Sequence, residues 1–135
     1  MNKIKFLMNR KKLVIYIIGI GAMFFLLTFF VSANLIGDEA ENRCKIAQKE
    51  YRGDCVETLM KLIEDETVEY GEKNSAVWAL GQLGDKRALL FLQKYYTGYD
   101  NNHRIKYDEA ISQYELYKAI KLLDDGFNAT AFIWR

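Results

Sequence analysis

Cys44 and Cys55 carry the plainest capacity for covalent chemistry in this chain. They fall on two neighbouring helices expected to run antiparallel, so in an oxidising compartment they can close a loop of about 12 residues as a disulfide. The alternative is a pair of buried free thiols, because cysteine is among the most buried side chains. Neither reads as a nucleophile: the redox C-x-x-C spacing is absent and no histidine lies nearby in sequence. His103, the one histidine, sits in the polar stretch Asn101-Asn102-His103-Arg104. It is the one side chain whose ordinary pKa lies near neutrality, and in such a loop it is expected to be solvated surface. Glu64-Asp65-Glu66 and Asp124-Asp125 could supply paired carboxylates for acid–base work, but they end helices, where solvated acids are ordinary. No Ser–His–Asp set, phosphate loop or metal box is visible, and two cysteines with one histidine fall short of most zinc frameworks. The expectation is therefore a chain with no catalytic residue, no cofactor and no metal.

The elements that would position these residues begin with a membrane-length run. Leu13 to Ala33 contains no charge and no amide. As a helix it would span roughly 32 Å, close to the ~30 Å hydrocarbon core of a bilayer. Thr28 and Ser32 can satisfy their hydroxyls on the helix's own carbonyls. Lys3, Lys5, Arg10, Lys11 and Lys12 precede the first acid, Asp38, and place the N-terminus in the cytoplasm by the positive-inside rule. The chain then reads as single-pass, N-in/C-out. Val31-Ser32-Ala33 before Asn34 also fits a signal-peptidase site, so a secreted form cut after Ala33 is the alternative. The run is longer than the 7–15 apolar residues typical of a signal peptide, which favours the anchor. From Asp38 onward 14 basic residues face 18 acidic ones, a balance that disfavours nucleic acid as a partner.

At 135 residues the chain has length for one domain. The divisions expected are a basic segment over 1–12, the membrane run over 13–33, a linker over 34–41, a helical domain over 42–126 and a tail over 127–135. Spacing predicts five helices: Glu39 to Tyr51, Cys55 to Glu66, Glu72 to Leu83, Lys86 to Tyr96 and Asp108 to Leu123. In the second, Val56, Leu59, Met60 and Ile63 follow the i, i+3, i+4, i+7 pattern of a half-buried helix. Gly53 and Gly84 are expected to end helices, and Asp54 and Asp85 to cap the next ones. Thr97 to Tyr107 reads as a loop, and Gly71 as an interruption before the third helix. Arg52-Gly53-Asp54 matches Leu83-Gly84-Asp85 at an offset of 31 residues, and the latter matches Leu123-Asp124-Asp125 at 40. Helical hairpins with such periods indicate an α-solenoid.

Ser75 to Tyr96, SAVWALGQLGDKRALLFLQKYY, resembles a HEAT repeat of the short bacterial type also seen in phycobilisome lyases. The shared pattern is A-x-x-A-L-G-x-L-G-D-x-R-A-L-x-x-L. The likeness thins over Arg43 to Glu66, where Ala47-Gln48-Lys49 replaces the A-L-G core, and over Tyr114 to Gly126, where Asp124 stands in for the glycine. The resemblance implies a right-handed stack of antiparallel helix pairs that binds proteins on its face; with the apolar run before it, the fold expected is all-α, a short α-solenoid preceded by one transmembrane helix. It implies that Asp85 and Arg87 link neighbouring repeats, and that Ala79 and Gly81 are small so that helices can approach. Trp78 is expected to pack between repeats.

Aromatic residues crowd the C-terminal third. Tyr95, Tyr96, Tyr114, Tyr117, Phe127, Phe132 and Trp134 suit either an apolar cap on the last repeat or a protein interface. The cap reading expects Gly126 to Arg135 to fold back on the helices with Trp134 mostly buried. Asn128-Ala129-Thr130 is a formal glycosylation sequon and is read as chance. The function expected is a membrane-anchored, non-enzymatic module that holds a protein partner outside the cytoplasm. The alternative is an accessory lyase or chaperone-like protein acting on a chromophore-bearing protein.

Overall fold

The structure, a computed structural model, describes residues 2–100 and 109–134, with side chains from residue 10 onward. His103 and Tyr107 lie outside the described residues, as does Asp108, the expected start of the fifth helix. Among the described residues there are six helices: α1 (Asn2–Glu50), α2 (Cys55–Glu64), α3 (Tyr70–Leu83), α4 (Arg87–Gln93), α5 (Gln113–Asp124) and α6 (Ala131–Trp134). α1, α3 and α5 pack side by side as one layer, and α2 and α4 form the second. This is the all-helical layered hairpin arrangement that the spacing predicts.

The first departure is α1. The run over 13–33 and the first repeat helix are one uninterrupted helix of 49 residues, about 70 Å long, so residues 34–41 are not a linker. The change of composition after Ala33 marks a change of surroundings, not a break in the backbone. Asn34 donates its amide to the Phe30 carbonyl at 2.8 Å, within the helix. Glu39 pairs with Arg43 and Glu41 with Lys45, both at the i, i+4 spacing that supports a helix. The acids expected to start a helix therefore lie inside one.

Packing on α1 follows one stripe. Ala33, Gly37, Ala40, Cys44 and Ala47 recur at helical spacing, and all five are buried. They let α2, α3 and α6 approach closely. A Cβ placed on Gly37 would lie 2.6 Å from Cγ of Trp134. The core continues through Val56, Leu59 and Ile63 of α2, Ala76, Val77 and Leu80 of α3, Leu92 of α4, and Leu116 and Leu123 of α5. Gly81 backs directly onto Ala119, where a Cβ would meet the Ala119 Cα at 2.8 Å, so α3 and α5 touch through backbone.

Helix limits shift where local chemistry competes with periodicity. α3 begins at Tyr70, with Gly71 inside its first turn instead of before it. α2 stops at Glu64 because Asp65 leaves helical geometry and accepts the Thr67 backbone N–H at 2.8 Å. α4 ends at Gln93, and α5 begins at Gln113 behind Ser112, which accepts the Glu115 N–H.

The C-terminal aromatics divide into two sets. Tyr99 packs against Tyr114 and Tyr117, with ring centroids 5.1 Å and 6.1 Å apart, so the segment after α4 covers that flank of α5. The tail does not cap it. It leaves the end of α5, meets α3 where Asn128 donates to Gln82 at 2.8 Å, and reaches α1 through α6. Trp134 is half-buried, but Phe127 and Phe132 are 83% and 91% exposed, against the expectation that they would be covered. The tail spans the short distance from last helix to first and finds its apolar contact on the α1 stripe.

One buried polar side chain fixes the third layer helix. Asn74, fully buried, donates to the Ala110 carbonyl at 3.1 Å and accepts from the Ser112 N–H at 2.7 Å. With Gly81 against Ala119 this sets α5 parallel to α3 at a fixed register. Asn74→Leu strands both backbone groups, each costing about 1–3 kcal/mol. Chemical denaturation of the full chain should show a loss of that order, whereas Gln93→Leu on the exposed face of α4 should change little.

Candidate functional site

Two constellations emerge from this packing: a line of repeat turns, and a groove over Trp78.

The turns are built from the residues expected. Gly84 has φ of 64°, the left-handed conformation that a side chain resists, and its N–H bonds the Leu80 carbonyl. Asp54 caps α2 in a full capping box: its carboxylate accepts the Glu57 N–H at 2.9 Å, and Glu57 reaches back to the Asp54 N–H. Asp85 accepts the Arg87 N–H at 2.9 Å and holds the first turn of α4, but the N-cap position itself falls one residue later than expected, at Lys86, which has helical dihedrals and makes no side-chain cap bond. Arg87 then grips Asp85 with two nitrogens and crosses to Asp54 of the preceding repeat at 2.7 Å. Asp85 and Arg87 thus join the two turns, as the resemblance implies. Gly53, at the outer turn, has φ of 148°.

These carboxylates are strongly held in the charged form. The Glu57 backbone N–H and then Arg87 keep Asp54 below the usual carboxylate range. Arg87 does the same for Asp85, and its own pKa is raised in return. Asp65 is brought down to about 2 by the Thr67 hydroxyl and by Tyr51, which donates its phenol at 2.6 Å. Bound to that carboxylate, the Tyr51 hydroxyl is pushed up to about 12. Beside these turns Cys44 and Cys55 form a disulfide, with Cα atoms 5.0 Å apart. It ties α1 to the first residue of α2.

Trp78 stands in the middle layer helix, half-buried between its neighbours. Glu39 and Arg43 of α1 form one wall of the groove above it, and Glu115 of α5 the other, with Ser75 beside the indole. The groove continues past Gln82 and Lys118 to Leu122. Asn128 of the tail, bonded to Gln82, closes this end. Ion pairs line the rim: Arg43 bridges Glu39 at 2.7 Å and Glu72 at 2.9 Å, and Lys118 holds Glu115 at 2.8 Å. Burial opposes the charge on Arg43, but Glu39 and Glu72 outweigh it and raise its pKa. The arrangement is a single indole floor between charged walls.

Sequence reasoning identified Trp78 as a packing residue but missed this groove. Arg43 and Glu115 stand far apart in the chain, and nothing in their local pattern marks them as facing walls. Tyr95 and Tyr96 pack onto the core at the end of α4, away from it. No group of three or more potential metal ligands occurs among the described residues.

The depressed aspartates set an acid limb. A carboxylate whose folded pKa lies below its unfolded value stabilises fully above the unfolded pKa, near 3.9, and loses that contribution as pH falls further. Arg87→Met should lower the melting temperature at pH 7. The gap from the parent should narrow as pH drops from about 4 toward 2. Thermal melts across that range, in low and high salt, would check this.

Residues 73–97 match the family model of the PBS lyase HEAT-like repeat. The match covers α3 from Lys73 onward, the Gly84 turn and α4, so the chain contains a HEAT-like repeat within an all-helical fold. No curated protein and no solved structure matches the chain.

Proposed function

We propose that this chain, built on a HEAT-like repeat, is a membrane-anchored binding module that holds a segment of a partner protein outside the cytoplasm. The observation that carries the reading is the groove over Trp78. It offers a half-buried indole flanked by Arg43, the two side-chain types most enriched at energetic centres of protein interfaces. Its titratable groups are engaged with one another: Glu39 and Glu72 with Arg43, and Glu115 with Lys118. That pattern suits a positioned, pre-organised surface more than proton transfer, and supports a non-enzymatic role.

The membrane and its sidedness are supported by three features. α1 is long and apolar enough to cross a bilayer, and its apolar window is unburied. The basic residues nearest the apolar run, Arg10, Lys11 and Lys12, lie on its N-terminal side, and none occurs among the nine residues that follow Ala33. A disulfide between Cys44 and Cys55 suits an oxidising compartment. A photoreactive amino acid at Ser75, in the full chain expressed in cells, should crosslink to a discrete protein, and Trp78→Ala should weaken that product several-fold. The same probe at Leu90, exposed on α4, should give none; crosslinking at Leu90 but not at Ser75 overturns the groove. A membrane-impermeant thiol reagent should reach Arg52→Cys in intact cells. Labelling only after lysis overturns the N-in/C-out assignment.

The family model's name supports a second reading, an accessory protein acting on a chromophore-bearing partner. Transfer of a labelled bilin to an acceptor protein in the presence of the chain would favour it.

A further inference from the structure

The tail leaves two large aromatic side chains in solvent at a particular height on the molecule. Trp134 packs on Gly37, only four residues beyond Ala33, the last residue of the apolar run. Four residues of helix rise about 6 Å. The headgroup layer outside the hydrocarbon core is roughly 5–8 Å deep on each side. Ala33 itself is fully buried, so the domain is packed against α1 down to the very end of the run. Leu35, between these two levels, is exposed.

Phe127 and Phe132 face each other across one open groove, floored by Leu122, Gly126 and Ala131. Among the described residues nothing covers either ring. Ordering a tail that leaves two phenylalanines in water is unfavourable, since fully burying such a side chain is worth about 1.5–3 kcal/mol. Phenylalanine is, however, among the side chains that surface-lying segments bury at the boundary between headgroups and acyl chains.

Resting on the reading of α1 as a membrane span, we propose that the tail is a lipid-binding element, with Phe127 and Phe132 inserted into the outer headgroup–acyl boundary beside α1. The occupant is a lipid surface and not a protein because α6, which carries Phe132, packs on α1 at Gly37, just beyond the apolar run, and Phe127 lines the same groove as Phe132. The neighbouring charges at the end of α5 are Lys121, Asp124 and Asp125, all exposed, and together they are net acidic. Insertion therefore depends on apolar contact and not on anionic headgroups, and pure phosphatidylcholine should suffice. The α1 span holds the chain in the membrane, and the tail fixes how the repeat domain leans on the bilayer.

The test uses the full chain, with its disulfide intact, reconstituted in phosphatidylcholine vesicles. A fluorophore is placed in turn on Leu26→Cys, Phe127→Cys, Phe132→Cys and Arg52→Cys. Quenching by lipids carrying a nitroxide at shallow or deep positions is compared with quenching by aqueous iodide. Leu26 should respond to the deep nitroxide, and Arg52, beyond the far end of α1, to iodide alone. Both phenylalanine sites should respond best to the shallow nitroxide, with iodide quenching several-fold weaker than at Arg52. If they behave like Arg52 while Leu26 stays deep, the lipid proposal is overturned although the span stands, and the pair becomes a protein-docking surface. If Leu26 is also open to iodide, the span reading falls and this proposal falls with it.

Discussion

Ala33, Gly37, Ala40, Cys44 and Ala47 form a bare stripe along α1, and the rest of the domain is organised by what that stripe admits. A helix packs closely where no side chain holds its neighbour away, and five small residues at helical spacing give about four turns of such surface. α2, α3 and α6 all settle there. Because the stripe starts at the end of the apolar run and continues into the repeat domain, the two are joined by rigid helix and not by a tether.

Burial and charge divide the work. The core of leucine, valine and alanine between the two layers supplies the cohesion. The ion pairs among Asp54, Asp85 and Arg87 are half-exposed, and exposed pairs contribute little apiece. Their role is register: one guanidinium, fixed by its own capping aspartate, sets the distance between successive turns. The Cys44–Cys55 disulfide constrains the same turn covalently, closing a short loop of the kind worth roughly 3 kcal/mol. Asn74 performs the equivalent task for α5, where the repeat pattern has decayed. A buried amide bound to two backbone groups specifies one position, which apolar contact alone does not.

The tail shows how a short solenoid is finished. A stack has two open ends and a shared flank, and a residual apolar segment can cover any of them. Here Tyr99 covers the far flank of α5, while the tail crosses from α5 past Gln82 to α1. The crossing draws first and last layer helices together and closes one end of the groove over Trp78.

By itself the sequence determined what depends on neighbours within a few turns. Hydrophobic periodicity gives α2, α3 and α5; left-handed geometry at Gly84 and the caps at Asp54 and Asp85 follow from residue type; the repeat over α3 and α4 is legible from its pattern. The length and charge flanks of the apolar run are read directly from composition. Tertiary structure decided what depends on partners distant in the chain. Residues 34–41 are helical because α6 and the repeat helices pack on Gly37 and Ala40, contacts no local window contains. Arg43 and Glu115 face one another only because Asn74 and Gly81 fix where α5 lies. Phe127 and Phe132 read as core by their chemistry, yet stand exposed because the α1 stripe has room for Trp134 and not for them.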